Sequence, residues 1–321
     1  MTEVLPVVRA GELQTRTQEE RWLIKPLWGR RAAGIVGGIP KCCKTWFGLD
    51  LAISVASGTP ALGRFPPDET GPALIYLAED GQDETHARIR GCCTHRGLDI
   101  NALDLHVITA PVVRLDLAKD QQRLLATVEK LKPRLLLLDP LVRLHRLNEN
   151  DASEISGLLG FLRELQRTFE MAVLLTHHQS KRVCAQPGQA LRGSSDLHAF
   201  GDSNAYISRR DDDKLLLTLE HRSAPAPPPI QLQLVSRADG SATHLEALPD
   251  ATSKEAPVPL NQRVLDALRD AHKPLAQTAL RQLLQVNNQR LGEVLRDMER
   301  RGVATHSADG WQVAAPVATP A

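Results

Sequence analysis

Between residues 32 and 176, short apolar runs alternate with longer stretches whose apolar positions recur three or four apart. This is the signature of strands joined by crossover helices, hence of a parallel sheet in an α/β domain. The pattern predicts a buried strand over 32–37, an apolar helix over 46–56, a strand over 73–78 and a helix over 84–90. A less buried, alternating strand over 103–108 follows, then a helix over 121–131, a strand over 134–139, an amphipathic helix over 153–169 and an apolar strand over 171–176. A further strand is expected over 214–222, and the proline-rich run 224–229 reads as a stiff connection between two strands. Beyond it, 247–259 has the Pro, Ala, Asp and Ser content of a linker. Helices over 262–271, 275–284 and 288–301 come next, with a hairpin over 303–313 that turns at Asp309-Gly310.

Composition sets the scale. A chain of 321 residues, 42% hydrophobic, is long enough for a full α/β core and a second small domain. A net charge of +1 gives no global signature for nucleic acid, so any such surface has to be local. Cys42, Cys43, Cys92, Cys93 and Cys184 form two adjacent pairs and a singleton, the spacing of neither a zinc site nor a disulfide framework. Without a signal peptide or a membrane-length apolar run, the expected location is the cytoplasm, with no membrane partner.

The chemistry is concentrated at the predicted strand ends. Gly38-Ile39-Pro40-Lys41-Cys42-Cys43-Lys44-Thr45 matches a phosphate-binding loop except at Cys43, where the pattern calls for glycine. It lies between a strand and a helix, the context this motif needs. In such a loop the backbone N–H groups surround the β-phosphate, Lys44 reaches the β- and γ-phosphates, and the Thr45 hydroxyl meets Mg²⁺. A side chain at position 43 crowds the phosphate or requires a conformation cheap only for glycine. It therefore leaves two outcomes open, weakened nucleotide affinity or lost hydrolysis. Four leucines ending in Asp139 form a Walker B pattern, and Asp139 would hold the magnesium's water shell. Glu79, at another strand end, is the candidate for polarising the attacking water, with Asp80 as competitor. At the tip of the 171–176 strand, His178 and Gln179 are candidate γ-phosphate sensors. Adjacent histidines on an extended strand point to opposite faces, so His177 is expected to pack inside rather than share an ion with His178.

Taken in order, Gly37 to Lys41 with Lys44 to Trp46, Tyr76 to Asp80, Leu138 to Leu141, His177 to Lys181 and Arg192 to Ser195 resemble the RecA-like P-loop ATPases. The similarity is greatest to the plasmid RepA-type replicative helicase branch, which is distantly DnaB-like. The resemblance implies a RecA-like core with a central, mainly parallel sheet. It implies ATP with Mg²⁺ as cofactors, held by residues 38–46. It also implies a homo-oligomer, such as a hexameric ring, in which neighbouring subunits complete each site. An arginine reaches the neighbour's nucleotide in that family. The segment 214–222 resembles the one that presents it, making Arg222 the first choice and Arg209 or Arg210 the reserves. DnaB-type chains carry a lysine two residues earlier, where this chain has Glu220.

The stretch between Ser180 and Gly193, with Lys181, Arg182 and Arg192, corresponds to a channel loop that would touch single-stranded DNA. The last three helices and hairpin are similar to a winged-helix module. Arg290 sits at the start of its third helix, where helix-turn-helix proteins place base-reading side chains. The expected organisation is a polar arm at 1–24, a RecA-like ATPase domain at 25–246, a linker at 247–259, a winged-helix-like domain at 260–314 and a tail at 315–321. Two readings stand: an ATP-hydrolysing motor on DNA in plasmid or mobile-element replication, or a catalytically weakened nucleotide-binding regulatory module acting through the C-terminal domain.

Overall fold

The computed structural model describes residues 5–13, 17, 21–179, 191, 195–210, 214–238, 241–249, 260–271, 273–284, 286, 288–307 and 310–314, with backbone alone at 195 and 288–290. The chain divides into two compact units, Met1–Asp250 and Ala251–Ala321.

The first unit is built on a nine-stranded sheet. In chain order its described elements are β1 (Trp22–Ile24), β2 (Trp28–Gly29), β3 (Ala33–Gly38), α1 (Lys44–Ser57), β4 (Ala73–Leu77), α2 (Gln82–Arg96), β5 (Leu105–Val107) and α3 (Ala118–Leu131). They continue with β6 (Leu135–Asp139), α4 (Ala152–Phe169), β7 (Ala172–His178), α5 (Ser195–Phe200), β8 (Ser203–Arg209), β9 (Leu215–His221), β10 (Ile230–Val235) and β11 (His244–Ala247). The sheet order is β11-β10-β9-β8-β3-β7-β6-β4-β5. From β8 to β5 every pairing is parallel, whereas β8 to β11 run antiparallel. The mostly parallel sheet is consistent with a RecA-like core.

Strands buried on both faces have to be apolar at every position, which is why β4, β6 and β7 read as continuous runs. Alternate residues feed two separate cores. Leu135 and Leu137 of β6 and Leu174 of β7 pack with α1 and α2, while Leu136, Leu138 and Leu175 pack with α3 and α4. Each fully buried leucine contributes about 1.5–3 kcal/mol. The α1 helix approaches β6 closely. A Cβ at Gly48 would lie 2.8 Å from a Leu137 methyl, so glycine sets how near the start of α1 comes to the end of β6.

Several elements differ from the pattern-based expectation. β5 is only three residues long, starting later than expected because Leu103 caps a 3-10 turn over residues 100–102. The polar arm ends before residue 24, since Leu23 and Ile24 of β1 are fully buried in the first unit's core. β8 has no strong sequence signal, because buried Ser203 and Asn204 interrupt its pattern. Their polarity is satisfied locally: Asn204 accepts the Ile35 N–H at 2.9 Å and the Ser203 hydroxyl accepts the Gly29 N–H at 3.2 Å.

In the second unit, α6 (Leu260–Asp270), α7 (Gln277–Leu284) and α8 (Asn288–Arg300) precede a hairpin of β12 (Ala304–Ser307) and β13 (Gly310–Val313). Val264, Leu268, Leu280, Leu291, Leu295 and Trp311 form its core. Leu275 pairs with Trp311 through backbone bonds of 2.8 and 2.9 Å, which ties the segment before α7 to the hairpin.

Candidate nucleotide-binding site

The loop between β3 and α1 is tightly drawn. A Cβ at Gly38 would fall 2.3 Å from Cys42 Sγ and 2.6 Å from the Ile207 carbonyl, so no side chain fits there. Lys41 and Cys43 both take positive φ, 62° and 66°. Cys43 is the residue immediately before α1, with ψ at 25°, and so holds the left-handed conformation that the motif's glycine adopts without steric cost. Burial pushes the thiols of both Cys42 and Cys43 above their ordinary pKa. Both thus stay neutral and add no negative charge where a phosphate would approach.

Lys44, the first residue of α1, is only 6% exposed. Its ammonium donates to the carbonyls of Gly38 and Ile39, each at 3.0 Å. An arriving phosphate would exchange these neutral acceptors for charged ones, which make roughly twice as strong a hydrogen bond.

Asp139 ends β6 beside this lysine's helix. It accepts a hydrogen bond from the Thr176 hydroxyl of β7 and shares another with Thr45. Burial pushes its carboxyl above the usual carboxylate range, against the pull of those two bonds. A buried carboxylate and a hydroxyl in mutual contact are hard oxygen donors that fit a divalent cation, and these two residues would hold it.

The end of β4 supplies the two further acids. Glu79 pairs with Arg143 at 2.8 Å, both side chains being largely exposed. Asp80 is less exposed and pairs with Arg88 of α2 at 2.9 Å. Arg88 in turn stacks its guanidinium 5.1 Å from the Trp46 ring. Of the two acids, Glu79 is therefore the one whose partner is readily displaced. From the other side, Arg209 of β8 donates to the Lys41 carbonyl at 3.0 Å. His178 lies level with Gly38 in the β3–β7 register, and the Gln179 N–H donates to the Gly38 carbonyl at 3.1 Å. Lys44, Thr45, Glu79, Asp139, His178 and Arg209 all line one cavity of about 380 Å³.

A family profile, AAA_25, described as an AAA domain, matches residues 2–183, more than half of the chain and including this whole loop. The chain belongs to the AAA_25 family. Its fold is also that of several solved structures at 15% sequence identity. The ATPase domain of G40P matches with a TM-score of 0.51 over 68% of this chain and 86% of that one. A DnaB-like replicative helicase, in a structure describing its interactions with primase, matches at 0.52 over 68% of this chain and 58% of its own length. The RadB recombinase matches at 0.50 over 68% and 92%. No curated protein matches the chain in sequence.

Most residues singled out in the sequence of this AAA_25 chain meet in the one cavity. Lys41 to Trp46, Glu79, Asp80, Asp139, His178 and Arg209 all line it, whereas Gly38, Ile39, Pro40 and Gln179 are not part of its lining. Arg222 does not. It follows β9 at the opposite end of the sheet, where it faces Asp202 at 3.5 Å and donates to the Ala199 carbonyl at 2.5 Å. Of the two reserves, Arg209 is the one that reaches the chain's own site. His177 and His178 point apart: His177 is buried, with Glu149 3.7 Å away, on the side that also holds His145. Lys181, Arg182 and Arg192 lie outside the described residues, and at Arg290 only the backbone is described.

Three contributors escaped the sequence reading. Thr176 carries a signal, a hydroxyl ending an apolar strand that pairs with the strand ending in Asp139. Arg88 and Arg143 carry none, because a helix-surface arginine and a loop arginine look like ordinary solvated charges. Cys42, Cys43, Cys92 and Cys93 are free thiols, and Cys184 lies outside the described residues. Among the described residues, no cluster of three or more His, Cys, Asp or Glu forms a metal centre, and no helix is long and apolar enough to cross a membrane.

Proposed function

We propose that this AAA_25 protein is a Mg²⁺-dependent ATPase of the RepA-type, helicase-like branch, acting on single-stranded DNA in plasmid or mobile-element replication. The observation that carries the reading is the convergence of Lys44, Thr45, Asp139 and Glu79 on one cavity. Lys44 and the loop N–H groups bind the β- and γ-phosphates, Thr45 and Asp139 hold the cation, and Glu79 takes the proton of the attacking water. When bound, Mg²⁺ neutralises charge developing on the phosphates. His178 and Gln179, joined to the start of the loop through Gly38, sense the γ-phosphate.

The protein works as a homo-oligomeric, hexameric ring in which Arg222 of each copy is offered to its neighbour, while Arg209 serves its own site. Lys181, Arg182 and Arg192 supply the strand contacts. The C-terminal unit, with three helices followed by a hairpin, acts as a winged helix with Arg290 on its recognition helix. The cytoplasm is its place of work. The solved helicase and recombinase folds support this reading without assigning a substrate to this chain.

A second reading is favoured by Cys43. A left-handed cysteine at the helix start, with Lys44 held by its own loop, suits a site that binds nucleotide and hydrolyses it poorly, regulating partner or DNA binding by the C-terminal unit.

The deciding experiment is ATP turnover with and without single-stranded DNA, beside a nucleotide titration and a Lys44→Ala control. Turnover that DNA stimulates and the control abolishes establishes the motor. Binding without turnover establishes the regulatory reading, and absence of nucleotide binding refutes both.

A further inference from the structure

A second cavity, of about 550 Å³, lies at the N-terminal end of β3, the opposite end from the phosphate loop. β3 is six residues long, so roughly 17 Å of strand separates the two. Arg21, Trp22, Arg30, Arg31, Arg163 and Arg167 are the lining residues that matter.

Guanidinium groups stay charged at any pH the fold survives. Carboxylates answer only some of them. Glu69 chelates Arg30 at 2.5 and 2.7 Å but also takes Arg134 at 3.3 Å. Asp202 takes Arg163 and is shared with Arg222 at 3.5 Å, and Glu170 pairs with Arg31. Arg21 donates to a neutral acceptor, the Ser223 carbonyl, at 3.3 Å. Arg167 has no ion-pair partner among the described residues. Among the described residues, Arg21 and Arg167 thus stand in the cavity wall without a carboxylate partner, beside Arg30, Arg31 and Arg163, each of which has one. The carbonyl end of α4 offsets part of the charge of Arg167, which lies in its last turn. The excess that is left is positive, concave and built on sheet and helix ends.

Trp22 adds a different element. Its ring is set edge-on to His221, with centroids 4.9 Å apart, in the same wall of the cavity. Fixed guanidinium groups beside an aromatic ring form the combination that binds phosphates and lets an attached base stack.

We propose that this cavity is a second phosphate-binding site, distinct from the nucleotide loop, for a phosphate-bearing ligand: a phosphodiester strand or a free polyphosphate. It does not depend on ATP turnover.

The test uses the full chain carrying Lys44→Ala, which disables the phosphate loop, titrated with a fluorescein-labelled oligo-dT and with inorganic tripolyphosphate. Trp22 fluorescence reports occupancy, with Trp22→Phe as the control that removes the signal. Arg21 and Arg167 are both exposed, so charge reversal at either leaves the core untouched. Arg21→Glu with Arg167→Glu is expected to weaken oligo-dT binding at least tenfold. The same variant lowers the salt slope by about 1.4, two contacts at about 0.7 each. Arg167→Gln, the milder variant, gives a several-fold loss at an unchanged melting temperature. Binding of oligo-dT alone assigns a strand as the source, and competition by tripolyphosphate assigns free polyphosphate. Titrations unchanged by the double reversal, or a site that takes polyglutamate and neither phosphate probe, overturn the proposal.

Discussion

Arg143 Nε lies 2.8 Å from a Glu79 carboxylate oxygen, so the acid proposed to activate water is held by an arginine from the loop after β6. Both side chains are largely exposed, and such pairs contribute at most about 1 kcal/mol. Arg143→Ala is therefore expected to leave the melting temperature almost unchanged and to raise ATP turnover by up to about fivefold, the rate equivalent of that energy. Glu79→Gln, by contrast, should reduce turnover by about 10²–10⁴ while nucleotide still binds. A steady-state assay of both variants beside a binding titration checks this. Equal, small effects from the two would remove Glu79 from the mechanism.

Cys43 occupies φ 66° and ψ 25°. A non-glycine residue pays about 1–2 kcal/mol in that region, and glycine loses about 0.4–1 kcal/mol through its freer unfolded chain. Cys43→Gly should thus stabilise the protein by about 0.5–1 kcal/mol and raise turnover by opening the loop to phosphate. Cys43→Val, β-branched at the same φ, should do the reverse. Denaturant titration gives the first number and an ATPase assay the second.

The candidate nucleotide site was legible as a cluster because its parts announce themselves locally. Gly38, Lys44 and Thr45 stand at fixed spacing, and four leucines run straight into Asp139. The strands feeding the two cores were legible for the same reason, since burial on both faces leaves little room for polar residues. What escaped depends on partners distant in sequence. β8 carries Ser203 and Asn204 because Gly29 and Ile35 offer N–H groups to them. No local period records that. Glu79's link to Arg143 and Asp80's to Arg88 are likewise side-chain pairings set by how the loop and helix fold back. The arginine cavity joins β1, β2, α4 and β9, so its charge is dispersed through a chain with a net charge of only +1.

Asp139 makes stability depend on pH in an unusual sense. Its folded pKa is raised by burial above its unfolded value of about 3.9. A raised folded pKa means that its contribution is most favourable below the unfolded pKa and is lost as pH rises through the folded one. Asp139→Asn removes that ionisation. In the absence of nucleotide and magnesium, the variant should melt higher than the parent at neutral pH, with the gap closing on acidification. It should also lose magnesium-dependent nucleotide binding. Melting curves across pH 4–8 test the first statement and a titration with and without EDTA the second. A gap that widens on acidification would show that Asp139 is not the group responsible.

Gly48 offers a way to test the geometry without touching a reacting group. A Cβ there would press to 2.8 Å from a Leu137 methyl, so any larger side chain has to lever the first turns of α1 away from β6. Thr45 and Lys44 sit in those turns, and their meeting with Asp139 depends on that separation. Gly48→Val should cost about 1–3 kcal/mol by overpacking. It should also weaken nucleotide binding by more than tenfold, although residue 48 does not line the cavity. Leu137→Ala in the same chain makes room for the new side chain, so the pair should recover much of the lost affinity, with each change harmful alone. A double-mutant cycle measured on nucleotide affinity reads this coupling directly. Strict additivity would mean that the spacing of α1 from β6 does not control how the loop and Asp139 come together.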